Sequence, residues 1–330
     1  MNWSNKKILV TGAGGFIGSH LTESLVKLGA DVRAFVRYNS RNDNGYIETF
    51  SPEIKENIDI YSGDLKDPDA VLQAVRDRDI VFHLGALIAI PYSYVNPMDY
   101  VQTNVVGTAN ILNACLKSNV ERVVQTSTSE VYGKMQYAPI DEKHPIEGKS
   151  PYAASKIGSD KMALSYYYAF GLNVSLVRPF NTFGPRQSMR AVIPTIITQA
   201  INDDFIRLGS LYPTRDFNYV SDTVNGFIKA ASLEQAIGET INTGSGREES
   251  IQALCEIILN LMGREIPIIQ EDKRTRPSNS EVNRLICDNT KAREILQWKP
   301  EVTLEEGLEY TIAWVREQMK MKEKSAEYII

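Results

Sequence analysis

Tyr152 and Lys156 stand four residues apart in Ser150-Pro151-Tyr152-Ala153-Ala154-Ser155-Lys156. On a helix that spacing puts both side chains on one face. An ammonium beside a phenol favours the phenolate and lowers its pKa. The pair then serves as a base for an alcohol or an acid for a carbonyl. Such a pair alone is also a common surface feature; its setting gives it weight. Upstream runs Thr126-Ser127-Thr128-Ser129-Glu130-Val131-Tyr132-Gly133. There Thr128 can hydrogen-bond a reacting oxygen, and Glu130 brings a carboxylate that would otherwise read as a surface or capping residue. A third signal opens the chain, where Ile8-Leu9-Val10 runs into Gly12-Ala13-Gly14-Gly15-Phe16-Ile17-Gly18. Glycines at 12, 15 and 18 let backbone approach a pyrophosphate, and the following helix offers free N–H groups and a positive dipole end. Glycines also serve tight turns for steric reasons alone; here they sit in the first strand–helix unit of an alternating chain.

These groups need a scaffold that brings strand ends together. The first half alternates strand-like and helix-like runs: strands at 6–10, 32–36, 58–61, 80–84, 122–126 and 174–177, and helices at 16–28, 68–76, 100–117 and 152–170. Gly29 suits a helix C-cap. The pattern predicts an α/β fold, a doubly wound parallel Rossmann sheet with helices on both faces, which binds ligands at the strands' carboxyl ends. Residues 38–57 are polar with Asn, Gly and Pro, and read as a loop excursion. After Pro179 the rhythm changes, with helices expected at 192–200, 251–262 and 304–320, a strand at 239–242, and a basic loop at 273–280. The expected division is a dinucleotide-binding domain over 1–179, with return segments around 216–245. A smaller interleaved α/β substrate lobe takes most of 180–330.

The chain of 330 residues is 43% hydrophobic and 23% charged, with a net charge of −5. It is long enough for a large core. The acidic balance argues against nucleic acid, which needs a basic footprint. Three dispersed cysteines, Cys115, Cys255 and Cys287, argue against a disulfide framework and for a reducing cytoplasm. Three histidines without ligand spacing give no metal site. No apolar run is long enough to span a bilayer, so no membrane partner is expected.

Together the motifs resemble the extended short-chain dehydrogenase/reductase superfamily, specifically its nucleotide-sugar epimerases and dehydratases. Besides the segments above, the resemblance rests on His83-Leu84-Gly85-Ala86, Thr103-Asn104-Val105, Arg178-Pro179-Phe180-Asn181, Tyr219-Val220-Ser221-Asp222 and Asp288-Asn289-Thr290. Ala89-Ile90-Pro91-Tyr92-Ser93-Tyr94, the 126–133 segment and the run from Arg178 to Thr195 look closer to the N-acetylhexosamine 4,6-dehydratases of legionaminic and pseudaminic acid pathways. The resemblance implies that Thr128, Tyr152 and Lys156 form the catalytic triad, with Glu130 as the dehydratase base. It implies cofactor contacts from Gly12, Gly15, Phe16, Ile17, Gly18, Arg37, Asp64, Leu65, Leu84, Ala86, Asn104, Tyr152 and Lys156. Substrate contacts would come from Ser129, Asn181, Val192, Arg215 and Arg276, the arginines pairing with a diphosphate. The second strand ends in Arg37-Tyr38 with no carboxylate for the ribose hydroxyls. NAD is expected, with NADP open because Arg37 can meet a 2′-phosphate. The helices at 100–117 and 152–170, with Tyr166, Tyr167, Tyr168 and Phe170, are expected to pair across a two-fold axis in a homodimer.

The implied substrate is a UDP-linked N-acetylhexosamine. Oxidation at carbon 4 acidifies the proton on carbon 5, and loss of the 6-hydroxyl then gives a 4-keto-6-deoxy sugar. Common hexose dehydratases carry an Asp just before the Glu, as the acid for the leaving hydroxyl; here Ser129 stands there. Three other enzymatic outcomes therefore stay open: 4-oxidation with 5-reduction or 5-epimerisation of an already dehydrated sugar, and UDP-hexose 4-epimerisation. A dinucleotide-sensing scaffold without catalysis is the non-enzyme alternative. The Tyr/Lys pair and the arginines speak against it.

Overall fold

In the computed structural model, which describes residues 1–271 and 282–326, thirteen named strands and twelve α-helices follow one another. The strands are β1 (Lys7–Thr11), β2 (Asp31–Arg37), β3 (Ile58–Gly63), β4 (Ile80–His83), β5 (Arg122–Thr126), β6 (Val174–Pro179), β7 (Asn181–Phe183), β8 (Ile206–Leu208), β9 (Thr214–Arg215), β10 (Phe217–Tyr219), β11 (Thr240–Thr243), β12 (Glu249–Ser250) and β13 (Ile268–Gln270). The helices are α1 (Phe16–Lys27), α2 (Pro52–Glu56), α3 (Pro68–Val75), α4 (Ile90–Val95), α5 (Pro97–Tyr100), α6 (Gly107–Lys117), α7 (Pro151–Phe170), α8 (Val192–Asn202), α9 (Val220–Ser232), α10 (Ile251–Met262), α11 (Thr290–Leu296) and α12 (Leu304–Ala326).

Seven strands form one sheet in the order β11-β6-β5-β4-β1-β2-β3. All its neighbours run parallel. The fold is thus the α/β doubly wound sheet expected. Strand order reverses at β1, which lies between β2 and β4, and crevices at such switch points hold ligands. Successive side chains of β1 point to opposite faces. Ile8 and Val10 join one buried cluster with Leu21, Leu25 and Phe227, and Leu9 joins another with Val81, Ile111 and Val123. Both faces are covered, which is why β4 and β6 are buried along their whole length. A third cluster, built from Phe183, Ile196, Leu254, Ile258, Leu308 and Val315 among others, packs α8, α10 and α12 together. Among the described residues no helix is long and apolar enough to cross a membrane.

Two expectations need correction. Residues 38–57 are not a plain loop: Gly45–Thr49 forms a 3₁₀ turn and α2 follows. Ser51 and Pro52 give α2 a hydroxyl cap and a preset first residue. Ile47 and Phe50 are buried, and the Tyr46 amide donates to the Gly14 carbonyl at 2.9 Å. The excursion thus lies on the glycine turn. The helix expected over 100–117 is interrupted: α5 ends at Tyr100, Val101–Val106 takes π-helical spacing, and α6 starts at Gly107. Such wide turns mark places where a side chain is diverted to other work, and here it is Asn104.

Candidate active site

The glycine turn joins β1 to α1. Gly12 has φ +69°, and a Cβ on it would lie 2.9 Å from the Gly85 amide. A Cβ on Gly18 would lie 2.1 Å from the Gly12 carbonyl, and one on Gly15 3.1 Å from it. Only glycine fits at 12 and 18. The α1 N-terminus at Phe16 and Ile17 has no side-chain cap, which leaves its amides for an anion. Leu84, Gly85 and Ala86 leave β4 beside this turn, and the Gly85 amide donates to Thr11 Oγ1 at 3.0 Å. Leu65 is buried against Gly85 and Gly107. Arg37 is exposed at the end of β2, opposite Gly63, so it shares the carboxyl edge with Asp64. Asp64 accepts from the Lys66 amide at 2.9 Å. The cradle fits a dinucleotide.

Asn104 is buried, and its amide is engaged with protein: Oδ1 accepts from the Leu87 amide at 2.8 Å, and Nδ2 donates to the Leu87 carbonyl and to Ser155 Oγ, both at 2.9 Å. It ties the loop after β4 to α7. His83 sits behind that loop, with Nδ1 2.7 Å from Thr11 Oγ1 and Nε2 3.0 Å from Thr108 Oγ1. Burial lowers its pKa to about 3, helped by the Lys156 charge, so it is neutral near pH 7.

The catalytic candidates converge where β5 ends. Ser150 caps α7 by accepting from the Ala153 amide at 3.1 Å, and Pro151 sets its first turn. That start presents Tyr152 inward, 7% exposed, with its ring edge-on to Tyr100 at 6.3 Å. Thr128 is extended, accepts from the Glu130 amide at 3.3 Å, and hydrogen-bonds the Tyr152 phenol. Gly133, at φ +62°, closes the 3₁₀ turn Ser129–Tyr132. Glu130 is half-buried, and its charge reaches the Tyr152 phenol. Ser129 is buried at 3% exposure. Lys156 is buried, and its Nζ donates to the Thr126 carbonyl at 2.6 Å.

The electrostatics depart from the simple phenol–ammonium picture. Burial pushes the Tyr152 phenol well above its ordinary value; Thr128 opposes this, and the negative charges of Glu130 and Asp160 add to it. The lowering expected from Lys156 is therefore not seen in the chain alone. Desolvation dominates, and the ammonium is turned to a backbone carbonyl. Burial also lowers Lys156 to about 8, with Asp160 opposing.

Asn181 opens β7, and its Oδ1 is buried without a hydrogen-bond partner among the described residues. β10 pairs with β7, placing Phe217 opposite Asn181. Arg215 lies just upstream on β9, 7% exposed, with Nη1 donating to the Thr214 carbonyl at 2.9 Å. Val192 is half-buried at the start of α8. Arg276 lies outside the described residues. Sequence reasoning missed Ser127, Asp160, Arg178 and Tyr132, which form a buried polar group behind Lys156. The available signal was Asp160 itself, a carboxylate four residues beyond Lys156 on the same helix face.

The class defined by this sheet and site is confirmed by comparison. The profile of the GDP-mannose 4,6 dehydratase family matches residues 9–311, and the chain belongs to that family of nucleotide-sugar epimerases, dehydratases and decarboxylases. Among its relatives, a UDP-N-acetyl-alpha-D-glucosaminuronate decarboxylase from Bacillus cytotoxicus is 36% identical, over 94% of this chain and 98% of that protein. A UDP-N-acetylglucosamine 4-epimerase from Methanobrevibacter ruminantium, solved with UDP-N-acetylmuramic acid, superposes with a TM-score of 0.85 at 31% identity, covering 95% of this chain and 99% of that one. The dTDP-glucose 4,6-dehydratase DesIV from Streptomyces venezuelae, solved with NAD, gives 0.84 at 29% identity, covering 95% and 98%.

Proposed function

We propose that this chain oxidises carbon 4 of a UDP-linked N-acetylhexosamine with NAD and performs proton chemistry at carbon 5, as a 4,6-dehydratase of nonulosonic acid biosynthesis. The carrying observation is the Glu130 carboxylate placed beside the Tyr152–Thr128 pair at the end of β5. The substrate class rests on the resemblance of 89–94 and 126–133 to such dehydratases, and on relatives that handle UDP-N-acetyl sugars. NAD is supported by the glycine cradle and by the NAD-bound relative. Residues 1–179, with the return around 216–245, would hold the dinucleotide, and 180–330 mainly the nucleotide sugar. A cytoplasmic setting fits three free, buried thiols.

The groups that would hold NAD are the 12–18 turn, Asp64, Leu65, Leu84, Ala86, Tyr152 and Lys156. When bound, the oxidised nicotinamide would supply a hydride acceptor for carbon 4, a hydride donor for carbon 6 and positive charge in the pocket. Thr128 holds the 4-oxygen, and Tyr152 as phenolate takes its proton, leaving a 4-keto sugar. Glu130 then removes the acidified proton of carbon 5. The electron pair forms the carbon 5–carbon 6 double bond as the 6-hydroxyl leaves as water with the proton just taken by Glu130, which is then reprotonated from solvent. Glu130 finally returns a proton to carbon 5. Asn181, Val192 and Arg215 orient the nucleotide sugar, with Arg215 on its diphosphate. Arg215→Met is expected to raise KM for the nucleotide sugar by roughly tenfold or more, with a smaller change in kcat. An unchanged KM would remove Arg215 from the diphosphate site.

One observation favours a second reading. Ser129, at the position of the usual leaving-group acid, is buried and carries no acidic proton near pH 7. A substrate already dehydrated by another enzyme would not need that acid, and Glu130 would then serve reduction or inversion at carbon 5. Offering UDP-N-acetylglucosamine, UDP-glucose, dTDP-glucose and GDP-mannose separately, with products read by mass spectrometry, tests the substrate class. Turnover confined to sugars lacking the N-acetyl group would sink it.

A homodimer is part of the same reading. Tyr166 and Tyr167 pack on the core, whereas Tyr168 and Phe170 are 76% and 57% exposed, and Val101 and Val106 also face outward. Light scattering should give the mass of two chains; a single-chain mass at micromolar concentration contradicts it.

A further inference from the structure

Behind the reacting edge lies a charged group that the chemistry above does not use. Asp160 follows Lys156 by one helical turn on α7, as Lys156 follows Tyr152. All three are buried. Asp160 Oδ2 accepts from Ser127 Oγ at 2.6 Å and from Arg178 Nη2 at 3.1 Å. Arg178, on β6, also donates through Nη1 to the Tyr132 hydroxyl at 3.1 Å, and that hydroxyl donates to Asn242 Oδ1 at 2.7 Å. The other carboxylate oxygen, Oδ1, is buried with no hydrogen-bond partner among the described residues. An ionised carboxylate in such a place is costly unless nearby positive charge stabilises it.

We propose that Asp160, held by Arg178 and Ser127, is the positioning residue of the Tyr152–Lys156 pair: it supplies the buried counter-charge that keeps the Lys156 ammonium charged against the Thr126 carbonyl. Ser127 and Thr126 are consecutive on the strand end that leads to Thr128, so one carboxylate fixes the helix and the strand edge together. The groups facing Lys156 agree with this assignment. Thr126 of β5 offers a neutral carbonyl. His83 of β4 is neutral near pH 7 and contributes no charge. Tyr152 is a neutral phenol until it gives up its proton. Asp160 is the carboxylate whose field opposes the effect of burial on Lys156. Arg178 faces Asp160 and Tyr132 instead; burial raises the Asp160 carboxyl, and the guanidinium opposes that rise and favours the ionised form.

The test needs no substrate. The chain labelled with ¹³C at lysine Cε is titrated by NMR, with the Lys156 signal assigned by its loss in K156M. In D160N the Lys156 midpoint is expected to fall by about one pH unit or more, the size of effect an opposite charge at close range exerts; in D160E it should stay within a few tenths of wild type. If D160N does not accumulate folded, D160N/R178Q removes both charges and leaves no uncompensated guanidinium; the same fall is expected. A folded D160N or double variant with the wild-type midpoint overturns the proposal. Its bearing on catalysis rests on Tyr152 as the proton acceptor. If the Lys156 midpoint falls but no nucleotide sugar is turned over by wild type, the positioning role stands and the substrate assignment fails.

Discussion

Tyr152→Phe is expected to reduce turnover by about 10²–10⁴-fold, the range for removal of a positioned general base, while leaving the fold intact. The ring is what packs: it is buried and edge-on to Tyr100 at 6.3 Å, and phenylalanine keeps that contact. The lost oxygen is the one that hydrogen-bonds Thr128. KM should change little, because the interaction removed is one made in the transition state for proton transfer. Thermal unfolding should match wild type, which separates lost chemistry from a lost fold. Residual activity above about one tenth of wild type would take Tyr152 out of the proton-transfer role and leave Thr128 or Glu130 to carry it.

Glu130→Gln is expected to split the reaction. Oxidation at carbon 4 needs Tyr152, Thr128 and Lys156, none of which the substitution removes. Proton removal at carbon 5 needs a carboxylate, and the amide cannot accept that proton. Deuterium uptake at carbon 5 should therefore slow by about 10²–10⁴-fold, while label at carbon 4 still passes to the nicotinamide. The Glu130 charge also raises the Tyr152 phenol, so its removal should ease phenolate formation and move the rise of carbon 4 oxidation to lower pH. If the variant exchanges carbon 5 at the wild-type rate, Glu130 is not the base, and a plain 4-epimerase becomes the better description.

The parts of this site that were legible in sequence are those fixed by local rules. Gly12 and Gly18 announce themselves because no side chain fits beside Gly85 and Gly12. Tyr152 and Lys156 lie on one helix by spacing, and Ser150-Pro151 marks where that helix begins. The alternation of β1 to β6 with helices yields the parallel sheet, since period and length fix the elements. What stayed hidden depends on contacts distant in the chain. Asp160 and Arg178 are ordinary charges in sequence, and only the packing of α7 on β6 makes them a buried pair. Spacing alone predicts a lowered Tyr152 phenol; burial, a tertiary property, reverses the sign. The 38–57 segment reads as a loop because it is polar and contains Asn, Gly and Pro, but Ile47 and Phe50 find core partners and draw it down onto the glycine turn. The π-helical stretch over Val101–Val106 carries Asn104, whose amide is bound by Leu87 and by Ser155 of a distant helix, contacts that spacing does not announce.

The most direct test of the central claim is incubation of the purified protein, without added cofactor, with UDP-N-acetylglucosamine in deuterated water, followed by NMR and mass spectrometry. The account predicts loss of one water from the sugar, deuterium at carbon 5 and a 4-keto product, from an enzyme that needs no external oxidant. Inversion at carbon 4 with no deuterium at carbon 5 would contradict it.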